Sequence, residues 1–290
     1  MNQTKPAWLR KRLPLGADMQ CMEGNLQENK LYTICQEACC PNQGECFSKG
    51  IATFLIMGNV CTRNCRFCAV NPGIPAALDA DEPLRLAKEV KRLGLRFVVV
   101  TSVTRDDLAD GGASHFVAVI DAIRCECPDV GIEVLIPDLQ GSYAALKMIV
   151  DAGPDVLNHN VETVPRLYRS VRPQANYLRS VELLRMAKEM SPAINTKSGL
   201  MLGLGENYNE VIDVMTDLRA ASCDVITIGQ YLSPSAHHHP VVEYIAPNVF
   251  EKYRREAIRV GFKDALSSPL ARSSYMAEQY CPPKAVLNKS

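Results

Sequence analysis

Between residues 51 and 261, short apolar runs alternate about six times with stretches of helical periodicity, and this rhythm constrains the chain more than any other feature. Residues 51–57, Ile-Ala-Thr-Phe-Leu-Ile-Met, read as a buried strand, because a short run that is apolar at nearly every position suits a strand covered on both faces. Residues 82–94 place Leu86, Val90 and Leu93 on one helical face and Lys88, Glu89, Lys91 and Arg92 largely elsewhere, and Gly94 supplies a stop. The pattern predicts further strands at 97–101, 132–136, 156–161, 194–204 and 224–231, and helices at 115–124, 143–150, 177–190, 209–221 and 249–261. Such alternation implies an α/β fold with a parallel sheet and right-handed crossovers. Six units over roughly 200 residues fit a partial (β/α)6 TIM-like barrel, since a full eight-unit barrel takes about 250. A doubly wound open sheet fits the same pattern. Both put function at the C-terminal ends of the strands. The first fifty residues, punctuated by Pro6, Pro14, Gly16, Gly24, Pro41 and Gly44, read as irregular. The expected division is an N-terminal extension over 1–50, a barrel over 51–245, and a C-terminal helix and extension over 246–290.

No apolar run approaches the ~18 residues of a membrane span, and residues 1–12 carry basic side chains without the apolar stretch of a secretory signal. A cytoplasmic protein is expected. Lys plus Arg and Asp plus Glu both number 32, so the balance gives no support to a nucleic-acid partner. Cysteine is the outlier: the chain has 12, and seven of them fall from Cys35 to Cys68. In a reducing compartment such clusters read as metal sites or catalytic thiols rather than disulfides. Cys21, Cys125, Cys127, Cys223 and Cys281 lack partner spacing and read as bystanders.

Cys61-Thr-Arg-Asn-Cys65-Arg-Phe-Cys68 begins just after the first expected strand, on a loop at the functional face. Three thiolates can hold three irons of a 4Fe–4S group and leave the fourth iron open to a small molecule. A structural zinc site is the rival reading, but zinc normally takes four ligands, often as separated pairs. At Cys61, Cys65, Phe67 and Cys68 the chain resembles the radical S-adenosylmethionine superfamily. That resemblance implies that the open iron chelates the amino and carboxylate groups of S-adenosylmethionine, and that one electron cleaves the sulfonium to give a 5′-deoxyadenosyl radical. Iron–sulfur potentials reach roughly −700 mV, the end of the range this reduction needs. The run Gly199-Leu-Met-Leu-Gly203-Leu-Gly205-Glu206 resembles the superfamily's adenosyl-contacting segment, although a tight strand-end turn explains it equally well.

Cys35-Gln-Glu-Ala-Cys-Cys40-Pro-Asn-Gln-Gly-Glu-Cys46 resembles the auxiliary-cluster motif of the lipoyl synthase family. Residues 101–113, 158–162, 196–199 and 272–275 (Arg-Ser-Ser-Tyr) match the same family. On chemistry alone either Cys39 or Cys40 could be a ligand; family spacing selects Cys40. The resemblance implies a serine as fourth ligand, with spacing favouring Ser274 over Ser273. It implies two 4Fe–4S clusters and S-adenosylmethionine as cofactors, and sulfur insertion at carbons 6 and 8 of a lysine-bound octanoyl chain, the auxiliary cluster being the sulfur source. Implied partners are octanoylated lipoyl carrier domains of 2-oxo acid dehydrogenase complexes and the glycine-cleavage H protein, with a low-potential donor such as ferredoxin or flavodoxin. Phe67, Ser102, Asn160, Glu162, Arg172, Lys197, Gly203, Gly205 and Glu206 are the candidate contacts to the adenosyl ligand, Arg172 through its carboxylate. Strand-end hydrogen bonding or surface charge is the plain alternative for several of these, and for Arg105. His237-His238-His239 is expected to serve loop packing or substrate rather than a metal, since three consecutive side chains point different ways. Competing functions are a radical enzyme of the biotin synthase type, which lacks the Cys35–Cys40–Cys46 pattern, and a zinc-stabilised binding module.

Overall fold

The computed structural model of the chain describes residues 4–10, 17–48, 51–275 and 277–280. Eight strands form one sheet: β1 (Tyr32–Thr33), β2 (Thr53–Ile56), β3 (Phe97–Ser102), β4 (Gly131–Leu135), β5 (Val156–Asn158), β6 (Asn195–Leu202), β7 (Val225–Gln230) and β8 (Asp264–Ser267). They lie in sequence order across it. β1 runs antiparallel to β2, and every later neighbour is parallel. A doubly wound sheet reverses its strand order at a switch point. This order never reverses, so the winding is that of a barrel left open between its first and last strands.

Six helices return the chain from strand to strand: α2 (Glu82–Arg92), α3 (Ala113–Glu126), α4 (Tyr143–Asp151), α5 (Tyr177–Met190), α6 (Tyr208–Ala220) and α7 (Pro247–Val260). Each buries its apolar stripe on the sheet. In α2 the buried set includes Leu86, Ala87 and Val90, and a fully buried Leu or Val contributes about 1.5–3 kcal/mol. The helix starts have local causes. Asn207 and Glu210 form a reciprocal capping box at α6, and Asn176 and Ser142 accept N–H groups at α5 and α4.

Two expectations need correction. The first fifty residues are not irregular: α1 (Ala17–Glu28) is a three-turn helix, and short helices follow at Ile34–Glu37 and Gln43–Ser48. Met22 and Leu26, four apart on one face of α1, join the main core, so tertiary burial overrides the Gly24 that obscured the pattern. The C-terminal extension also supplies β8, a short parallel strand registered on β7 from Asp264 opposite Val225 to Ser267 opposite Ile228.

One large core joins residues from Met22 to Ala265. Phe97, Val156 and Val225 open the alternate strands β3, β5 and β7 and make a separate small cluster that plugs the N-terminal end of the barrel. Beyond it lies a polar layer. Glu133, fully buried on β4, accepts two contacts from Lys197 Nζ at 3.0 and 3.1 Å and one from Asn158 Nδ2 at 2.7 Å.

Candidate functional site

The loop that carries the first cysteine motif leaves β2 through a turn in which Met57 and Gly58 both take positive φ. Its backbone is tied down on several sides. Thr62 N and Oγ1 both donate to Thr104 O, Arg66 N donates to Val171 O at 2.9 Å, and His239 N donates to Arg66 O at 2.7 Å. Cys61 Sγ accepts the N–H groups of Thr104 and Arg63 at 3.3 and 3.4 Å. Arg63 is itself buried, paired with both carboxylate oxygens of Asp106 at 2.6 and 2.9 Å and with Asp138 at 2.6 Å. The loop is therefore preorganised by the segments after β3 and β4.

Cys61, Cys65 and Cys68 lie close enough to perturb one another. Burial pushes the Cys68 thiol up to about 12, against a lowering from the Val70 backbone and with further raising by Cys65 and Cys61. Burial also raises Cys65, opposed by the Arg172 guanidinium and reinforced by Cys61 and Glu162. Without a metal these two thiols stay protonated at neutral pH, so ligation must displace their protons.

Around the trio sit polar groups with unspent capacity. Arg172 Nη1 donates to Asn160 O, Val161 O and Tyr168 Oη at 3.0–3.2 Å, whereas its buried Nε has no partner. Glu162 holds φ of 65°; burial raises its carboxyl, and Arg172 and then the Asn160 amide oppose the rise. Ser102 Oγ at the end of β3 is likewise buried without a partner. An orphaned guanidinium N–H beside a carboxylate and three thiols suits a zwitterion held against an iron–sulfur group.

Other sequence candidates are committed elsewhere. Lys197 is spent on Glu133 in the polar layer. Glu206 accepts the N–H groups of Gly203 and Leu204 at 2.6 and 2.9 Å, closing its own turn. A Cβ at Gly203 would overlap Gln230 Nε2 and Glu243 O, so that glycine answers to this chain. Gly205 also holds positive φ, and Phe67 packs against the main core. Arg105 pairs with Asp107 at 2.8 Å through Nη2, while its Nη1 is buried without a partner. His238 bridges Ser235 Oγ and Cys68 O at 2.8 and 3.0 Å, and His239 Nε2 meets Leu204 O at 3.0 Å, so these two rings pack the loop.

The second motif forms a small recess, partly open to solvent, lined by Cys35, Cys40, Cys46, Thr53, Arg272 and Ser274 among others. Cys39 is exposed, with φ of 50°, and takes no part. Burial lifts the Cys35 thiol to about 11, with a smaller rise from Cys40. Three thiols and one hydroxyl match the four corners of a 4Fe–4S group. Among the described residues, no three His, Cys, Asp or Glu side chains converge on a single-ion site. A serine hydroxyl is not among the thiolate, imidazole and carboxylate donors that complete a tetrahedral zinc site. Cubane ligands spread over separate irons.

Of the bystanders, Cys125 is exposed, Cys127 half-buried and Cys223 buried; Cys281 and the side chain of Cys21 lie outside the described residues. Sequence reasoning missed the Arg63–Asp106–Asp138 network and the pairing of Asn160 with Ser273. Arg63 inside the cysteine motif was the available signal for the first; 113 positions separate the partners of the second.

The Radical SAM superfamily pattern matches residues 55–218. A protein of Caldanaerobacter subterraneus subsp. tengcongensis named lipoyl synthase is 56% identical over 278 residues, 96% of this chain and 97% of that one. A lipoyl synthase of Caldicellulosiruptor saccharolyticus is 56% identical over 279 residues, covering 96% and 98%. Among solved structures, methylornithine synthase superposes with a TM-score of 0.55 at 20% identity, over 71% of this chain and 60% of its own. HydG, a maturase of the [FeFe]-hydrogenase, gives 0.55 at 16% identity over 87% and 62%. These structural likenesses carry the fold.

Proposed function

The chain belongs to the lipoyl synthase family of the radical S-adenosylmethionine superfamily, and on that premise we propose that it inserts two sulfur atoms, at carbons 6 and 8, into an octanoyl chain carried on a lysine of a lipoyl carrier domain. The observation that carries this reading is the recess itself: three cysteines from the N-terminal segment and Ser274 from the far end of the chain line one small cavity. When bound, the two 4Fe–4S groups and S-adenosylmethionine would supply the reducing electron, the hydrogen-abstracting chemistry and the sulfur. Cys61, Cys65 and Cys68 would hold the first group; Cys35, Cys40, Cys46 and Ser274 would hold the second.

This chain's own residues do the positioning. Arg172 Nε offers an unpaired donor to the methionine carboxylate, Glu162 accepts from the amino group, and Ser102 Oγ lies free for a polar edge of the ligand. Phe97, Val156 and Val225 close the barrel floor. Arg63 fixes the cysteine loop so that unactivated carbons meet the reactive centre in one geometry. The extension 1–50, the barrel 51–245 and the segment 246–290 divide the ligand set between them. No helix among the described residues is long and apolar enough to cross a membrane, which suits a cytoplasmic enzyme fed by ferredoxin or flavodoxin. Acyltransferase subunits of 2-oxo acid dehydrogenases and the glycine-cleavage H protein are the carriers proposed.

Anaerobic turnover of an octanoylated carrier peptide, followed by mass, tests the reading: the product should gain two sulfur atoms. Cys40→Ala should abolish that gain while 5′-deoxyadenosine still forms. Sulfur appearing in the Cys40→Ala product would refute the assignment of the recess.

A further inference from the structure

The last strand of the sheet runs into a strap, residues 269–275, that is gripped from two sides. Gln230 N at the end of β7 donates to Pro269 O at 3.2 Å. Asn42 Nδ2, from the N-terminal segment, donates to Leu270 O at 2.8 Å. Ala271 O lies so close over Gly229 that a Cβ there would overlap it. Tyr275 Oη donates to Glu45 Oε1 at 3.0 Å. Between these grips, two adjacent serines face different neighbours. Ser274 lines the cysteine recess. Ser273 Oγ accepts from Asn160 Nδ2 at 2.8 Å and lies 3.0 Å from Asn160 Oδ1, so one hydroxyl meets both ends of the amide.

Asn160 belongs to the other site. Its carbonyl accepts from Arg172 Nη1 at 3.0 Å, and its side-chain amide faces the Glu162 carboxylate. Gly199 makes room for the pair: a Cβ there would press on Asn160 Oδ1 and Ser273 Oγ together. The hydroxyl of Ser273 is thus a side-chain link from the strap to the barrel mouth, one residue from the proposed iron ligand.

We propose that Ser273 is a positioning residue: by docking on the Asn160 amide it sets where Ser274 stands in the recess, and so how firmly that hydroxyl holds the auxiliary group. The inference rests on the reading of the recess as an auxiliary-cluster site. A serine oxygen is a harder ligand than thiolate and binds iron less tightly there, so its hold depends on how well the chain presents it.

The test uses the full chain, purified anaerobically with both iron–sulfur groups, as wild type and as Ser273→Ala, Ser273→Thr, Ser274→Ala and Gly199→Ala. Mössbauer spectra read the auxiliary irons, and a chelator reads the rate at which iron leaves. Ser273→Ala should take on the auxiliary signature of Ser274→Ala and lose auxiliary iron about fivefold faster, the factor that goes with one lost hydrogen bond of about 1 kcal/mol. Ser273→Thr, which keeps the hydroxyl, should resemble wild type. Gly199→Ala, which keeps both partners and pushes them apart, should resemble Ser273→Ala. In iron-free protein, hydrogen exchange should quicken in 269–275 of Ser273→Ala and leave the sheet protected. A wild-type auxiliary signature and iron-loss rate in Ser273→Ala would overturn the proposal, and so would loss of protection across the whole sheet. Failure of the underlying reading shows differently: the wild type itself would carry only one iron–sulfur group.

Discussion

Arg63 stands between two cysteines of the first motif, and its guanidinium is committed to two carboxylates that arrive from other loops. Burial would lift the Asp138 carboxyl, but the Arg63 guanidinium outweighs it and holds the group at about 2 against the usual 3.8. A depressed folded-state value means that the stabilisation is full above the unfolded value and is lost as pH falls from about 4 towards 2, roughly 2 kcal/mol in all. Arg63→Met leaves Asp138 buried and without its main partner, which should cost about 3–5 kcal/mol at neutral pH. In urea denaturation the gap between variant and wild type should narrow as pH is lowered towards 3, because protonated Asp138 no longer needs the cation. A gap independent of pH would show that packing, not charge, dominates. Lysine should rescue poorly, since it cannot reproduce the bidentate contact to Asp106.

At the scale of elements, the turn after β6 illustrates how a run that resembles a ligand contact is also demanded by the fold. Gly203 takes φ of 93°, Gln230 Nε2 lies within 3.0–3.1 Å of Leu202 O, Tyr231 O and Glu243 O, and a Cβ at Gly203 would meet Gln230 Nε2 and Glu243 O. Gly203→Ala should therefore cost about 2–4 kcal/mol, combining backbone strain with overlap against groups that cannot retreat. Gly153, with φ of 71° and open space around its Cα, is the control: alanine there should cost only the left-handed penalty of about 1–2 kcal/mol. Chemical denaturation of the two variants separates the contributions, and equal losses would mean that the crowding at Gly203 relaxes freely.

For the whole molecule, the N-terminal segment and the barrel share one apolar core that runs from Met22 to Ala265. Small metal-dependent domains unfold when stripped; this chain has enough buried apolar surface to keep its sheet. Removing iron should leave far-UV circular dichroism nearly unchanged while hydrogen exchange quickens in 34–48 and 268–275, which carry the recess-lining Cys35, Cys40, Cys46 and Ser274. Collapse of the circular dichroism signal on chelation would contradict that view. The alternation of apolar runs and the cysteine spacings are local properties, carried by side-chain periodicity and by short-range chain geometry, so the sequence alone determined the six βα units and marked out Cys61, Cys65 and Cys68 as one group of thiols. It could not determine whether the sheet reverses, because strand order depends on which edges meet after the helices pack. Nor could it pair Asn160 with Ser273 or Arg63 with Asp138, select Cys40 over Cys39 without a family spacing, or bring Ser274 to Cys35 across most of the chain. Those contacts exist only once closing the barrel brings distant loops to one rim, and the energy that fixes them comes from burial and charge pairing that no local stretch of residues contains.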